Sequence, residues 1–286
     1  MLIAALAIAQ DGPDPYLLDI VGPGRITVED GIYRTTDGAK VTVREVVDAA
    51  KDVRFVFVGE SHDQLQHHLA QATIIQLLAA SGRDVVVGFE MFTRDNQHNL
   101  APWTRGRWTR EEFIENAAWK TQWGFDFALY EPIFNAVKAH KLPMVALNLP
   151  RDWVRQVGRN GLSVLTEEQR EWVPDPYLGN EKHKALFTAM MGGHPMTGTQ
   201  GENIYSAQVC WDEGMATSAL DYMGQRHSKN AVMVVVAGSG HTMYGQGINY
   251  RVWRKTGERT LNVVCINSDG PRQVSKGIAD FVAVSR

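Results

Sequence analysis

The chain is short of cysteine, of charge of one sign and of long apolar runs, and each shortage closes off a class of function. Only two cysteines occur in 286 residues. That excludes a disulfide framework, and Cys210 and Cys265 lack the spacing of a metal-binding pair. A formal net charge of −3 leaves no basic field to draw in nucleic acid. The small cluster Arg105, Arg107 and Arg110 reads as a solvated face. The N-terminal apolar run, Met1–Ala9, is too short to span a bilayer. It closes on Ala7-Ile8-Ala9, the pattern of a signal-peptide cleavage site, but no basic residues precede it. The compartment is therefore read as exported or periplasmic, otherwise cytoplasmic. No cysteine lies nearby to carry a lipid, so membrane attachment is not supported. Repeats and low-complexity tracts are missing too, and an apolar fraction of 44% with 21% charged residues is that of an ordinary globular chain.

What is present is an alternation of short apolar runs with helical patterns. Residues 1–42 read as an N-terminal arm with a hairpin, Ile32–Thr35 against Lys40–Val43 across Asp37-Gly38. Residues 43–286 read as one α/β domain. A helix at 43–51 leads into the strand Phe55–Val58, and Asp63 is placed to cap the helix Leu65–Leu78, which ends at Ser81-Gly82. Strands follow at 84–90, 142–149, 231–237 and 261–267, with a helix start at Thr109 and a further helix at 132–140. That rhythm predicts a mostly parallel central sheet flanked by helices. Between 152 and 225 the strands stop, which predicts a helical insertion capping the carboxyl ends of the sheet.

In open parallel sheets ligands bind beyond the carboxyl ends of the strands. Those ends deliver Glu60 and His62, then Glu90, then Asn148 and Arg151, then Ser239 and His241. Two strands end alike, in Gly59-Glu-Ser-His62 and Gly238-Ser-Gly-His241. Glu60, His62, Glu90 and His241 have the donor chemistry to hold a divalent metal and activate its water. The same residues, with Arg151 receiving an anion, also suit general acid–base catalysis without a metal. A third use of Arg151 is a plain ion pair with Glu60 or Glu90. Of His67 and His68 on the next helix, one is expected to face solvent and the other to pack. In the insertion, His183, His194, Tyr177 and Tyr205 stand among apolar residues and have side chains of the kind that ligate haem iron. His194 follows Gly192-Gly193 and precedes Pro195, which places it on a loop.

Several of these segments together resemble a known family. Gly59-Glu-Ser-His-Asp63 with His67, His68 and Gln71 comes first, then Phe89-Glu-Met-Phe92, Trp123 with Tyr130-Glu-Pro132, and Ala146–Arg151. Ala207-Gln208 with Trp211-Asp212 and Met215-Ala216, and Gly238-Ser-Gly-His241, complete the set. In this order they resemble the ChaN-like haem-binding proteins, a group related to the erythromycin esterases and to the Tiki and TraB proteins. The resemblance spans about residues 45–255. It implies an α/β core with a helical insertion, haem as ligand, a homodimer, and a role in bacterial iron acquisition. The Tiki branch implies instead metal-dependent proteolysis and the esterase branch water activated by a similar Glu and His set, so the alternative is a metal-dependent esterase or protease using Glu60, His62, Glu90 and His241.

Overall fold

Strands of valine and phenylalanine assemble into one eight-stranded sheet in the computed structural model, which describes residues 12–286. The Ala7–Ala9 segment lies outside them. The strands are β1 (Arg25–Val28), β2 (Gly31–Arg34), β3 (Lys40–Val41), β4 (Phe55–Glu60), β5 (Asp84–Thr93), β6 (Met144–Asn148), β7 (Ala231–Gly238), β8 (Leu261–Asn267), β9 (Arg272–Ser275) and β10 (Phe281–Ser285). The helices are α1 (Val43–Ala49), α2 (Leu65–Ala80), α3 (Ala101–Thr104), α4 (Arg110–Asn116), α5 (Trp119–Gln122), α6 (Phe127–Ala139), α7 (Arg151–Asn160), α8 (Glu167–Trp172), α9 (Glu181–Met190), α10 (Gly198–Gly224) and α11 (Ile248–Thr256). The sheet order is β3-β2-β10-β8-β4-β7-β5-β6, and β1 and β9 pair antiparallel in a separate two-stranded sheet. From β10 to β6 every pairing is parallel. The β2–β3 hairpin adds the antiparallel edge.

Side chains leave each strand alternately on its two faces, so β4 serves two cores. Val56 and Val58 join α1, α2 and the aromatic helices α3–α6 on one side. Phe55 and Phe57 face α10 and α11 on the other, against Met215, Ala219, Ile248 and Val252. The expected strands and most helices are present, with differences that have physical causes. The hairpin is not peripheral to the core: Tyr33 is buried with Val264 and Val282. The sheet also does not end at β8, because β10 pairs beside it. Helix α6 begins at Phe127, earlier than expected, since Asp126 caps it and Pro132 is tolerated inside it. Asp63 does not cap α2. Gln64 occupies the N-cap without a side-chain bond, and Asp63 instead receives the Gln64 amide.

Helix α10 does two jobs along its length. Its second half lies on the sheet, and its first half runs past the strand ends, where α9 meets it. No helix among the described residues is long and apolar enough to cross a membrane.

Phe134 lies in the middle of the aromatic cluster, with ring centroids of Phe89, Phe113, Trp119 and Phe127 at 5.3, 5.2, 5.4 and 5.0 Å. Phe134→Ala is expected to cost about 3–5 kcal/mol. Urea unfolding with an unchanged m-value checks this, and a loss below about 1 kcal/mol would contradict so central a role.

Candidate functional site

The end of β4 turns sharply after Glu60, and two buried histidines hold the turn. His67 accepts the Ser61 N–H at 3.0 Å, and the His68 ring stands 3.3 Å from the His62 carbonyl and 3.0 Å from Gln71. Both rings are buried, contrary to the expectation that one faces solvent. They set the backbone from which His62 projects. Its Nδ1 lies 2.6 Å from Glu60 Oε1, and Trp123 and Phe125 flank the ring edge-on at 4.7 and 5.3 Å. The His62 side chain keeps 20% of its surface exposed, whereas that of Glu60 keeps none. Glu60 also receives the Tyr130 hydroxyl at 3.4 Å, while its Oε2 has no hydrogen-bond partner.

The neighbouring strands complete the cluster. Glu90 Oε2 accepts the Gly238 N–H at 2.6 Å, and its Oε1 stands 3.4 Å from His241 Nε2. Gly238 is required by the close approach: a Cβ there would come within 2.8 Å of His62 Cε1. Asn148 donates to the Glu90 carbonyl at 2.8 Å, so β6 holds β5 in place at the site. Glu60, His62, Glu90 and His241, named from the sequence, are therefore brought together. Arg151 makes no direct contact with the cluster, although the Glu90 charge acts on it. It is exposed, donates to the Trp123 carbonyl at 3.1 Å, and forms no ion pair with Glu60 or Glu90.

Behind His241 lies a second tier that carries much of the charge. Its Nδ1 is 2.5 Å from Asp212 Oδ1 and 3.1 Å from the Gln208 amide. Asp212 Oδ2 lies 3.0 Å from His183 Nε2 and 3.5 Å from Arg251. Glu213, equally buried, is countered by Lys255 and by Arg251 at 3.8 Å. Gln208, Asp212 and Tyr130 stand in motifs of the family resemblance, but the sequence assigns them no contact. Glu213, Arg251 and Lys255 carry no motif. The available signal was the adjacent Asp212-Glu213 pair within α10, answered by two cations four residues apart on α11.

These contacts set the ionisation. Burial opposes charge on His241, but Glu90 and Asp212 outweigh it and raise its pKa to about 10. At His62 burial is likewise overcome, by Glu60, and the pKa rises to about 9. Burial would raise the Glu90 carboxyl, yet His241, His62 and the Gly238 N–H bring it down to about 2. Asp212 is also held well below the ordinary range against its burial, first by Arg251 and His241. His183 and His67 go the other way, kept neutral by burial. The donors thus bind one another, and no group of three or more His, Cys, Asp or Glu among the described residues is arranged to hold a metal ion.

The insertion's candidate ligands divide in two. His183 and Tyr205 are buried and bonded together at 3.1 Å, with the Tyr205 hydroxyl also 3.2 Å from the Asn180 carbonyl. Tyr177 and His194 are exposed. The Arg254 guanidinium lies 4.7 Å above the Tyr177 ring. Beside it opens a groove of about 750 Å³ between α9 and α11, lined by Asn180, Lys182, Gln246, Tyr250, Trp253 and Arg259 among others. Gly179 also lines it, and the Tyr177 hydroxyl packs over Gly179 at the rim.

A mostly parallel α/β sheet with a helical cap and a paired Glu–His strand-end cluster defines the class. Residues 46–252 match the family described as haem-binding uptake, Tiki superfamily, ChaN, and the chain belongs to that family. No curated protein matches the chain. Among solved structures it is similar to that of cofacial haem binding to ChaN of Campylobacter jejuni, with a TM-score of 0.63 and 18% identity over 88% of this chain and 94% of that one. A mutant of the erythromycin esterase EreC in its open conformation is a looser likeness, with a TM-score of 0.49 and 14% identity over 83% of this chain and 76% of that one.

The raised histidine pKa values predict how stability depends on pH. From an ordinary value of 6.5 up to about 9 for His62 and about 10 for His241, the native state holds protons that the unfolded chain has released. Stability must then fall as pH rises through that window. Below 6.5 the sign reverses for the neutral His67 and His183. Glu90 adds an acid loss as pH falls from its ordinary 4.5 toward about 2. Urea midpoints measured across pH should peak near 6.5, and His62→Gln should flatten the alkaline limb. A wild-type profile that stays level above the peak would sink this reading.

Proposed function

We propose that this protein binds haem in the groove between α9 and α11, with Tyr177 as the iron ligand, in the service of bacterial iron acquisition. The accessibility of Tyr177 carries the reading. Of the four candidate ligands, His183 and Tyr205 occupy each other, whereas Tyr177 presents 40% of its surface at the rim of a groove large enough for a planar macrocycle. The residues fit the group. Tyr250 and Trp253 offer flat apolar faces, and Lys182 and Arg259 offer cations to propionates, with Glu181 and Glu258 among them. Bound haem would supply a ferric iron, and the Tyr177 hydroxyl oxygen would hold it. Leu178 and Trp253 stay exposed nearby. A homodimer closing over them would bring two haems together, in keeping with the cofacial binding described for the C. jejuni protein. Membership of the haem-binding uptake family supports the same ligand.

A second reading is favoured by the free Nε2 of His62. With Nδ1 held by Glu60, part of the ring exposed and the pKa raised to about 9, the charged His62 presents its Nε2–H as a general acid near neutral pH and becomes a base only above about 9, in a hydrolase that works without a metal.

Titration with hemin is expected to give a Soret shift at micromolar concentration that Tyr177→Phe abolishes, while Tyr205→Phe and His194→Ala retain it. No shift in the wild type refutes haem binding, and an undiminished shift in Tyr177→Phe refutes the ligand. For the second reading, ester and peptide hydrolysis should drop about 100-fold or more in His62→Gln and Glu90→Gln, the usual scale for losing a general acid or base. Equal rates in wild type and variants rule the hydrolase out.

A further inference from the structure

The groove and the strand-end cluster are joined by a line of buried polar groups in which hydrogen bonds alternate with ion-pair contacts. Glu90 meets His241 at 3.4 Å, His241 meets Asp212 at 2.5 Å, and Asp212 meets His183 at 3.0 Å. His183 meets Tyr205 at 3.1 Å, and Tyr205 meets the Asn180 carbonyl at 3.2 Å. Asn180 is a wall of the groove and the N-cap of α9, and its amide donates to Gln246, another wall residue, at 3.1 Å. From α11, Arg251 reaches both Asp212 and His183, at 3.5 and 3.4 Å, while Tyr250 and Trp253 of the same helix line the groove.

Coupling through such a line requires an element with two arrangements that both sites can bias. Tyr205 is that element. Its hydroxyl has one proton and two acceptors, His183 Nδ1 and the Asn180 carbonyl, at nearly equal distance. With the proton on the His183 side, Arg251 is free to lean toward Asp212. With the proton toward Asn180, His183 Nδ1 takes its hydrogen bond from Arg251 Nη2, which tilts the guanidinium and shifts the Nη1 that faces Asp212. The charge available to His241 changes accordingly. The groups facing His241 are Glu90 from β5, Asp212 and Gln208 from α10, and His62 beyond β4. Those facing His183 are Asp212 and Tyr205 from α10 and Arg251 from α11.

We propose that the Asn180–Tyr205–His183–Asp212 line couples the two sites, so that a ligand seated against the groove wall alters the hydrogen bonding of His241, and the state of His241 alters affinity in the groove. The proposal rests on the groove being the porphyrin site.

The test uses the full chain labelled with ¹⁵N-histidine and gallium protoporphyrin, a diamagnetic probe whose binding is followed separately by its absorbance. In the wild type, binding is expected to move the His241 ring resonances. In Tyr205→Phe the probe should still bind while those resonances stay put. If bound probe leaves wild-type His241 unmoved, or moves it equally in Tyr205→Phe, the coupling is overturned. If no probe binds, the haem reading has failed, and the line is judged in ligand-free protein. There, His241 resonances that differ between wild type and Tyr205→Phe uphold it, and coincident ones overturn it. Should Tyr205→Phe fail to fold, His183→Gln takes its place with the same outcomes.

Discussion

Everything at the carboxyl end of the sheet depends on one buried carboxylate, Asp212. Helix α10 carries it past the strand ends into a place with no solvent, where His241, His183 and Arg251 converge on its two oxygens. An uncompensated charge there would cost several kcal/mol. The arrangement is stable because each charge has a partner from a different element: His241 from the turn after β7, Arg251 from α11, Glu90 from β5. Asp212 therefore ties the helical cap to the sheet, and it keeps His241 charged while His183 stays neutral. Removing one partner leaves the others wrongly charged, so the cluster behaves as a unit.

The two histidines of the strand-end motifs are alike in sequence and unlike in circumstance. His241 is enclosed by two carboxylates and faces inward to the network. His62 has one carboxylate at Nδ1 and an open side between Trp123 and Phe125. The same Gly-x-x-His turn thus supplies an electrostatic anchor in one place and an accessible imidazole in the other. The difference comes from what packs over each turn, α10 in one case and aromatic side chains in the other. The groove is separate from both, and its walls are the outer surfaces of α9 and α11, whose inner surfaces hold the charge network.

Much of this was legible from residue order. Valine-rich runs ending in Gly-Glu or Gly-Ser mark strands that deliver polar groups, because a parallel sheet buries both faces of a strand and leaves chemistry only at its ends. That identified Glu60, His62, Glu90 and His241 and the cap between residues 152 and 225. The sequence left open whether Arg151 pairs with Glu60 or Glu90, and the first turn of α7 instead directs it to the Trp123 carbonyl. The β2–β3 hairpin and β10 escaped as core elements because pairing between chain ends leaves no local pattern.

The sequence by itself determined the alternation of strands and helices, and with it the class of fold and the identity of the side chains at the strand ends. Local periodicity and turn chemistry are encoded within a few residues of each position. Only the tertiary structure decided which of those side chains are charged, which are accessible and which are bound to one another. It turned His183 and Tyr205 inward, left Tyr177 at the rim of a groove, and set Asp212 and Arg251 between the two histidines. Those outcomes depend on burial and on charges far apart in the chain, and neither is a property of any segment read alone.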